Sequence, residues 1–135
     1  MEISEVAAST SNPGPSDWFT GQTWIEELGT LATPTPTRVL RVTFAPGART
    51  AWHTHPLGQV LHVLDGVARI GREGQPVREA HAGDSVIFAP DERHWHGAAP
   101  GRLMSHLAVQ ATDPEAGSET RWEEHVSDAS YEDTP

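Results

Sequence analysis

His53-Thr-His55 followed by Gln59, and His94-Trp-His96 some thirty-five residues later, are the residues best suited to chemistry. Side chains alternate between faces along a strand, so His53 and His55 point the same way, and the Pro56-Leu57-Gly58 turn brings Gln59 back toward them. Three residues are thus gathered locally, Gln59 reading either as a donor or as a hydrogen-bonding neighbour of the donors. His94, from a strand distant in sequence, completes a divalent-metal site if the chain closes into a barrel. Imidazole and amide donors without sulfur suit Mn²⁺, Fe²⁺, Ni²⁺ or Zn²⁺. All four donors are neutral, so a bound ion keeps its full charge in a partly apolar cavity and attracts anions.

His96 and His106 share the parity of the ligand face but stand outside the four-donor set. A non-ligating imidazole beside a metal is a candidate acid–base group, because its ordinary pKa of about 6.5 lets it carry a proton near neutrality. His106 reads as the proton-transfer residue; His96 divides between that role and orienting a neighbour. Met104, His106, Ala108 and Gln110 lie on one face of a strand, and Leu40, Val42 and Phe44 on one face of another. Leu40, Val42 and Phe44, with Trp52, are expected to wall a substrate pocket, with Gln110 as a polar contact. Burying so many polar groups without partners would cost about 1–3 kcal/mol each, which a metal and a substrate would offset. His62, His81 and His125 read as surface or structural residues, and Glu115, Glu119, Glu123 and Glu124 as a solvated face.

The spacing Gly47, His53, His55, position 59, Gly66, then Gly83, Pro90 and His94, resembles the cupin signature. Gln59 stands where the family usually has Glu, Pro90 sits one place late, and Ala98 replaces an Asn. The run Pro46-Gly-Ala-Arg-Thr-Ala-Trp-His-Thr-His-Pro-Leu-Gly-Gln59, with His94-Trp-His-Gly-Ala-Ala-Pro100, resembles small bacterial cupins that act as manganese-dependent hydroxynitrile lyases. Asp17 to Gly21, Met104 to Gln110, and Trp122 to Asp128 extend the resemblance over nearly the whole chain. It implies a jelly-roll-like antiparallel β-barrel, Mn²⁺ on His53, His55, Gln59 and His94, and a carbonyl or cyanohydrin substrate. A metal-dependent dioxygenase, which commonly uses a carboxylate missing here, and a non-catalytic ligand-binding barrel are the alternatives.

The elements that would position these groups are short strands with turn signals between them, an all-β pattern. At 135 residues the chain fits one domain, with an N-terminal arm over 1–28, a barrel core over about 38–110 and an acidic tail over 111–135. Trp18 to Leu28 suits an edge strand packed by its aromatics, Asp65-Gly66 a tight hairpin, and the tail a docked segment or short helix. With no cysteine, disulfide and thiolate chemistry are excluded. A formal net charge of −10 opposes nucleic-acid phosphates and anionic lipid. No segment reads as a membrane span, and a cytoplasmic protein is expected. Apolar residues on both faces of several strands, with arms at both ends, suggest a homodimer or homotetramer.

Overall fold

Alternation of apolar and polar residues over short runs, punctuated by glycine and proline, yields thirteen strands, one short α-helix and a 3-10 turn at Val6–Ala8 among the described residues. A computed structural model describes residues 1–133. The strands are β1 (Asn12–Pro13), β2 (Phe19–Thr20), β3 (Thr23–Leu31), β4 (Thr37–Phe44), β5 (Arg49–Thr50), β6 (His53–Thr54), β7 (Gln59–Asp65), β8 (Val67–Arg72), β9 (Arg78–His81), β10 (Ser85–Phe88), β11 (His94–Ala98), β12 (Met104–Ala111) and β13 (Arg121–Trp122). Helix α1 spans Asp128–Glu132. One sheet runs β1-β3-β4-β12-β7-β10; the other runs β13-β6-β11-β5-β2, with β8 paired to β11 and β9. Every pairing is antiparallel. Among the described residues no helix is long and apolar enough to cross a membrane.

The two sheets face each other over one core. Leu40, Val42 and Phe44 of β4, Leu61 and Val63 of β7, Ala68 and Ile70 of β8, and Met104 and Ala108 of β12 are buried on the inner faces. Burial along β12 alternates as its parity requires, with Met104, His106, Ala108 and Gln110 inward. The segment 19–31 supplies β2 and β3, and β3 pairs along the whole of β4. The single edge strand expected over Trp18 to Leu28 is instead two strands in different sheets, β2 at the edge of one and β3 between β4 and the two-residue β1 in the other, with Phe19 and Thr23 turned into the core. In the tail, Val126 and Tyr131 pack against Val77 and Trp95 in a second cluster. Tyr131 donates its hydroxyl to the Ala98 carbonyl at 2.7 Å.

Asp65-Gly66 does not close a hairpin. Gly66 has φ 78°, as a tight turn requires, but β7 pairs with β10 and β12 while β8 pairs with β9 and β11. The chain crosses from one sheet to the other at this point. Any side chain on Gly66 would meet the Leu103 carbonyl oxygen, 2.0 Å from the position of a Cβ, so glycine serves here for both its backbone conformation and its lack of a side chain.

Candidate metal centre

Strand β11 is paired with β6 so that His94 stands opposite His53, and two residues opposite each other in register project to the same face. His96, two positions along β11, shares that face. The other sheet contributes Gln59 at the start of β7, and His106 and Gln110 from β12. His55 lies just past β6, in a turn closed by Gly58 N–H donating to the His55 carbonyl at 3.0 Å. Closing the barrel therefore brings His53, His55, Gln59, His94, His96, His106 and Gln110 together, all buried.

The hydrogen bonds fix which ring nitrogen each histidine offers. His53 Nδ1 donates to the Ala51 carbonyl at 2.9 Å, His55 Nδ1 to the Glu119 carbonyl at 2.7 Å, and His94 Nδ1 to the Glu92 carbonyl at 2.7 Å. A carbonyl only accepts, so Nδ1 carries the proton in each ring and Nε2 presents a lone pair. Burial, helped by the neighbouring His94 and His55, drives the pKa of His53 well below the ordinary value; burial lowers that of His55 and brings that of His94 to about 3. All three rings are neutral at pH 7. His55 Nε2 has no hydrogen-bond partner among the described residues.

His94 Nε2 stands 3.3 Å from Gln59 Oε1. Neither atom has a hydrogen to give, so two lone pairs face each other across a buried gap. That is unfavourable alone and favourable around a cation. The donor set therefore fits a divalent metal, with no anionic ligand to offset its charge.

His96 is close as well: among the described residues one nitrogen each from His53, His94 and His96 lie within 4.8 Å of one another, and His55 stands outside that group. What separates His96 is its partner. Its Nδ1 lies 3.0 Å from His106 Nε2, so the two rings share one proton and neither tautomer is locked by a carbonyl. His96 Nε2 and His106 Nδ1 have no partner among the described residues. Burial pushes both pKa values down, that of His106 to about 4, with His106 itself a second cause for His96.

A cavity of about 470 Å³ opens onto these groups, lined by Leu40, Val42 and Ala108 on one side and by Trp18, Trp122 and Glu119 on the other. Trp18 and Trp122 stack, with ring centroids 5.1 Å apart and planes 5° from parallel. Leu40, Val42 and Gln110 line this cavity. Phe44 does not: fully buried, it lies one layer behind, its ring 5.3 Å from that of His106 and 6.0 Å from that of His96. Trp52 is also elsewhere, packed outside the barrel with the second core cluster and covered by the Arg93 guanidinium at 4.3 Å. His62 bonds Ser85 on the outer face, His81 lies near Asp84, and His125 approaches Thr20 at the surface.

Glu119 departs from the solvated face assigned to it. Its side chain is 18 % exposed and pairs with Arg38 at 2.7 Å, while its carbonyl orients His55. Neither it nor Trp122 belongs to a run with readable periodicity. The signals for Trp122 are its place in the Trp122 to Asp128 run that carries the family resemblance and its being a large aromatic within an acidic tail.

The Cupin domain family matches residues 40–107. The chain is 50% identical over 131 residues to an (R)-mandelonitrile lyase of Granulicella tundricola, covering 97% of this chain and 98% of that one. It is 38% identical to a cupin-like protein of Thermotoga maritima whose crystal structure superposes with a TM-score of 0.78, covering 90% and 92% of the two chains. A polyketide cyclase of Streptomyces resistomycificus, 19% identical with a TM-score of 0.67 over 98% of this chain and 91% of that one, shares the fold.

Proposed function

Because the chain belongs to the cupin family, we propose that its barrel holds a hydroxynitrile lyase, cleaving a cyanohydrin such as mandelonitrile to an aldehyde and hydrogen cyanide and running the addition in reverse. The observation that supports this reading is that His53, His55 and Gln59 line a largely apolar cavity, with His94 Nε2 3.3 Å from Gln59 Oε1 and the His96–His106 pair beside them. The half-identical mandelonitrile lyase supports the choice of substrate. We assign His53, His55, Gln59 and His94 as metal ligands, with Mn²⁺ as the ion; Fe²⁺, Ni²⁺ and Zn²⁺ also suit these donors.

A divalent ion held there supplies Lewis acidity toward the substrate oxygen or toward cyanide. Leu40, Val42 and Ala108, with the flat Trp18–Trp122 stack, receive the aryl or alkyl part of the substrate and exclude water. His106, neutral at pH 7, takes the hydroxyl proton as the O–H electrons form the carbonyl and the C–C bond breaks toward cyanide. His96, 3.0 Å away, passes a proton through the pair, so that cyanide departs as HCN and the histidines end as they began. Gln110 lies on the wall with both ends of its amide already engaged.

The test is direct. Protein reconstituted with Mn²⁺ should release benzaldehyde from mandelonitrile and, with benzaldehyde and cyanide, form one enantiomer in excess. Absence of turnover with the metal bound would refute the lyase.

The neutral ligand set makes its own prediction. Gln59→Glu is expected to keep or tighten Mn²⁺ binding, since a carboxylate is the stronger donor, while weakening azide binding to the loaded protein tenfold or more. One unit charge about 4 Å away is worth about 4 kcal/mol at an effective dielectric of 20, so even a fraction of it is large. Azide titration followed by calorimetry reads this, and an unchanged affinity refutes the account.

The assembly we propose is a homodimer or homotetramer of this chain. Its support is an outward apolar row in which Val109 opposes Val60 and Val60 opposes Ile87 across three adjacent strands. Ile87 is 75% exposed. Ile87→Lys is expected to lower the mass in light scattering to that of the monomer; a mass unchanged from wild type removes this face as the contact.

A further inference from the structure

The orientation of Gln59 is decided outside the ligand set. A glutamine amide is nearly symmetrical in shape but opposite in chemistry at its two ends, and only its oxygen can face a cation. Gln59 Nε2 donates to Gln110 Oε1 at 2.8 Å, and Gln110 Nε2 donates to Glu119 Oε1 at 3.2 Å. The same carboxylate oxygen accepts from Arg38 Nη1 at 2.7 Å. A carboxylate held by an arginine only accepts, so Gln110 has to turn its amino group toward Glu119 and its oxygen toward Gln59. Gln59 must then turn its amino group to Gln110, which leaves its own oxygen facing His94 Nε2 at 3.3 Å.

The opposite polarity has its own attraction. With both amides inverted, Gln59 would donate to the His94 lone pair, a hydrogen bond that the observed orientation forgoes. Local preference in the metal-free protein therefore runs toward a Gln59 that blocks the site, and an acceptor at the far end is what opposes it.

We propose that Glu119 is a positioning residue that sets the polarity of the Gln110–Gln59 amide chain and so keeps the Gln59 oxygen open to a cation. The proposal rests on Gln59 being a ligand. Arg38 anchors the carboxylate, and Gln110 transmits its polarity across the barrel.

The experiment titrates metal-free wild type, Glu119→Leu, Gln59→Glu and the double variant with Mn²⁺ by calorimetry. Glu119→Leu removes the acceptor at similar size and is expected to weaken Mn²⁺ binding about tenfold, since apparent affinity falls with the fraction of molecules in the competent state. In the Gln59→Glu background the two oxygens of residue 59 are equivalent and carry no polarity. There the same change is expected to leave affinity unchanged or raise it, because Gln110 no longer sits between two carboxylates. An equal loss in both backgrounds would mean that Glu119 acts only by tying residues 112–122 to the barrel, and would overturn the proposal, as would no loss in either. If Glu119→Leu does not fold, Gln110→Leu cuts the same chain at its middle, with the same expected dependence on residue 59. Gln59→Ala separates the two levels. Undiminished Mn²⁺ affinity in that variant refutes Gln59 as a ligand, whereas weakened affinity there with none lost in Glu119→Leu refutes the polarity proposal alone.

Discussion

His94→Ala is expected to yield a protein that elutes from purification with little Mn²⁺, and His53→Ala and His55→Ala to do the same. Losing a group that merely orients a ligand typically costs 10–100-fold in metal affinity, and each of these changes removes the ligand itself. Each ring has its Nδ1 tied to a backbone carbonyl, so none of the others can swing round to replace a missing Nε2. His62→Ala and His125→Ala, both remote from the cavity, are expected to keep the metal. His96→Ala is the discriminating control. His96 is near enough to His53 and His94 to be grouped with them by distance, yet its Nδ1 faces another imidazole, so its loss should leave the metal bound. Metal analysis of the six variants checks this: full occupancy in the first three would end the ligand assignment, and loss in His96→Ala would move His96 into it.

His106→Ala is expected to retain fold and metal while losing roughly 10²–10⁴-fold in turnover, the range that follows removal of a positioned acid or base. The pH dependence carries the sharper signature. Burial brings the pKa of His106 to about 4, below the ordinary imidazole value. Only the neutral ring can accept the hydroxyl proton, so cleavage at saturating Mn²⁺ should rise as pH climbs through that value and be level near neutrality. A solvated histidine would place the rise near pH 6.5. The Ala variant should lack this ionisation. If it keeps both the wild-type rate and the wild-type pH profile, His106 is a wall of the cavity and the proton moves elsewhere.

Much of the site was legible because strand alternation is a local property. Placing His53 and His55 on one face and bringing Gln59 back by a turn uses only a few consecutive residues, and the inward parity of Leu40, Val42, His106 and Gln110 follows from a period of two. What alternation cannot supply is depth. Phe44 has the same parity as Leu40 and Val42, but the strand ends of a closed barrel lie at different levels, and Phe44 falls behind the histidines. Nor does it choose partners. Asp65-Gly66 carries the positive φ of a hairpin, while the strands that follow pair in different sheets because each finds its neighbour at long range.

The sequence by itself determined an all-β chain and the inward face of His53, Gln59, His94 and His106, none of them a carboxylate, since residue type and period need no knowledge of the rest of the molecule. Only the tertiary structure decided how those donors are oriented. The carbonyls of Ala51, Glu92 and Glu119 select the tautomer of each histidine, and the Glu119 carboxylate, brought in by a segment without periodicity, faces Gln110 and through it Gln59. Hydrogen-bond direction depends on which group sits opposite, and in a barrel that group comes from a part of the chain to which no local pattern points.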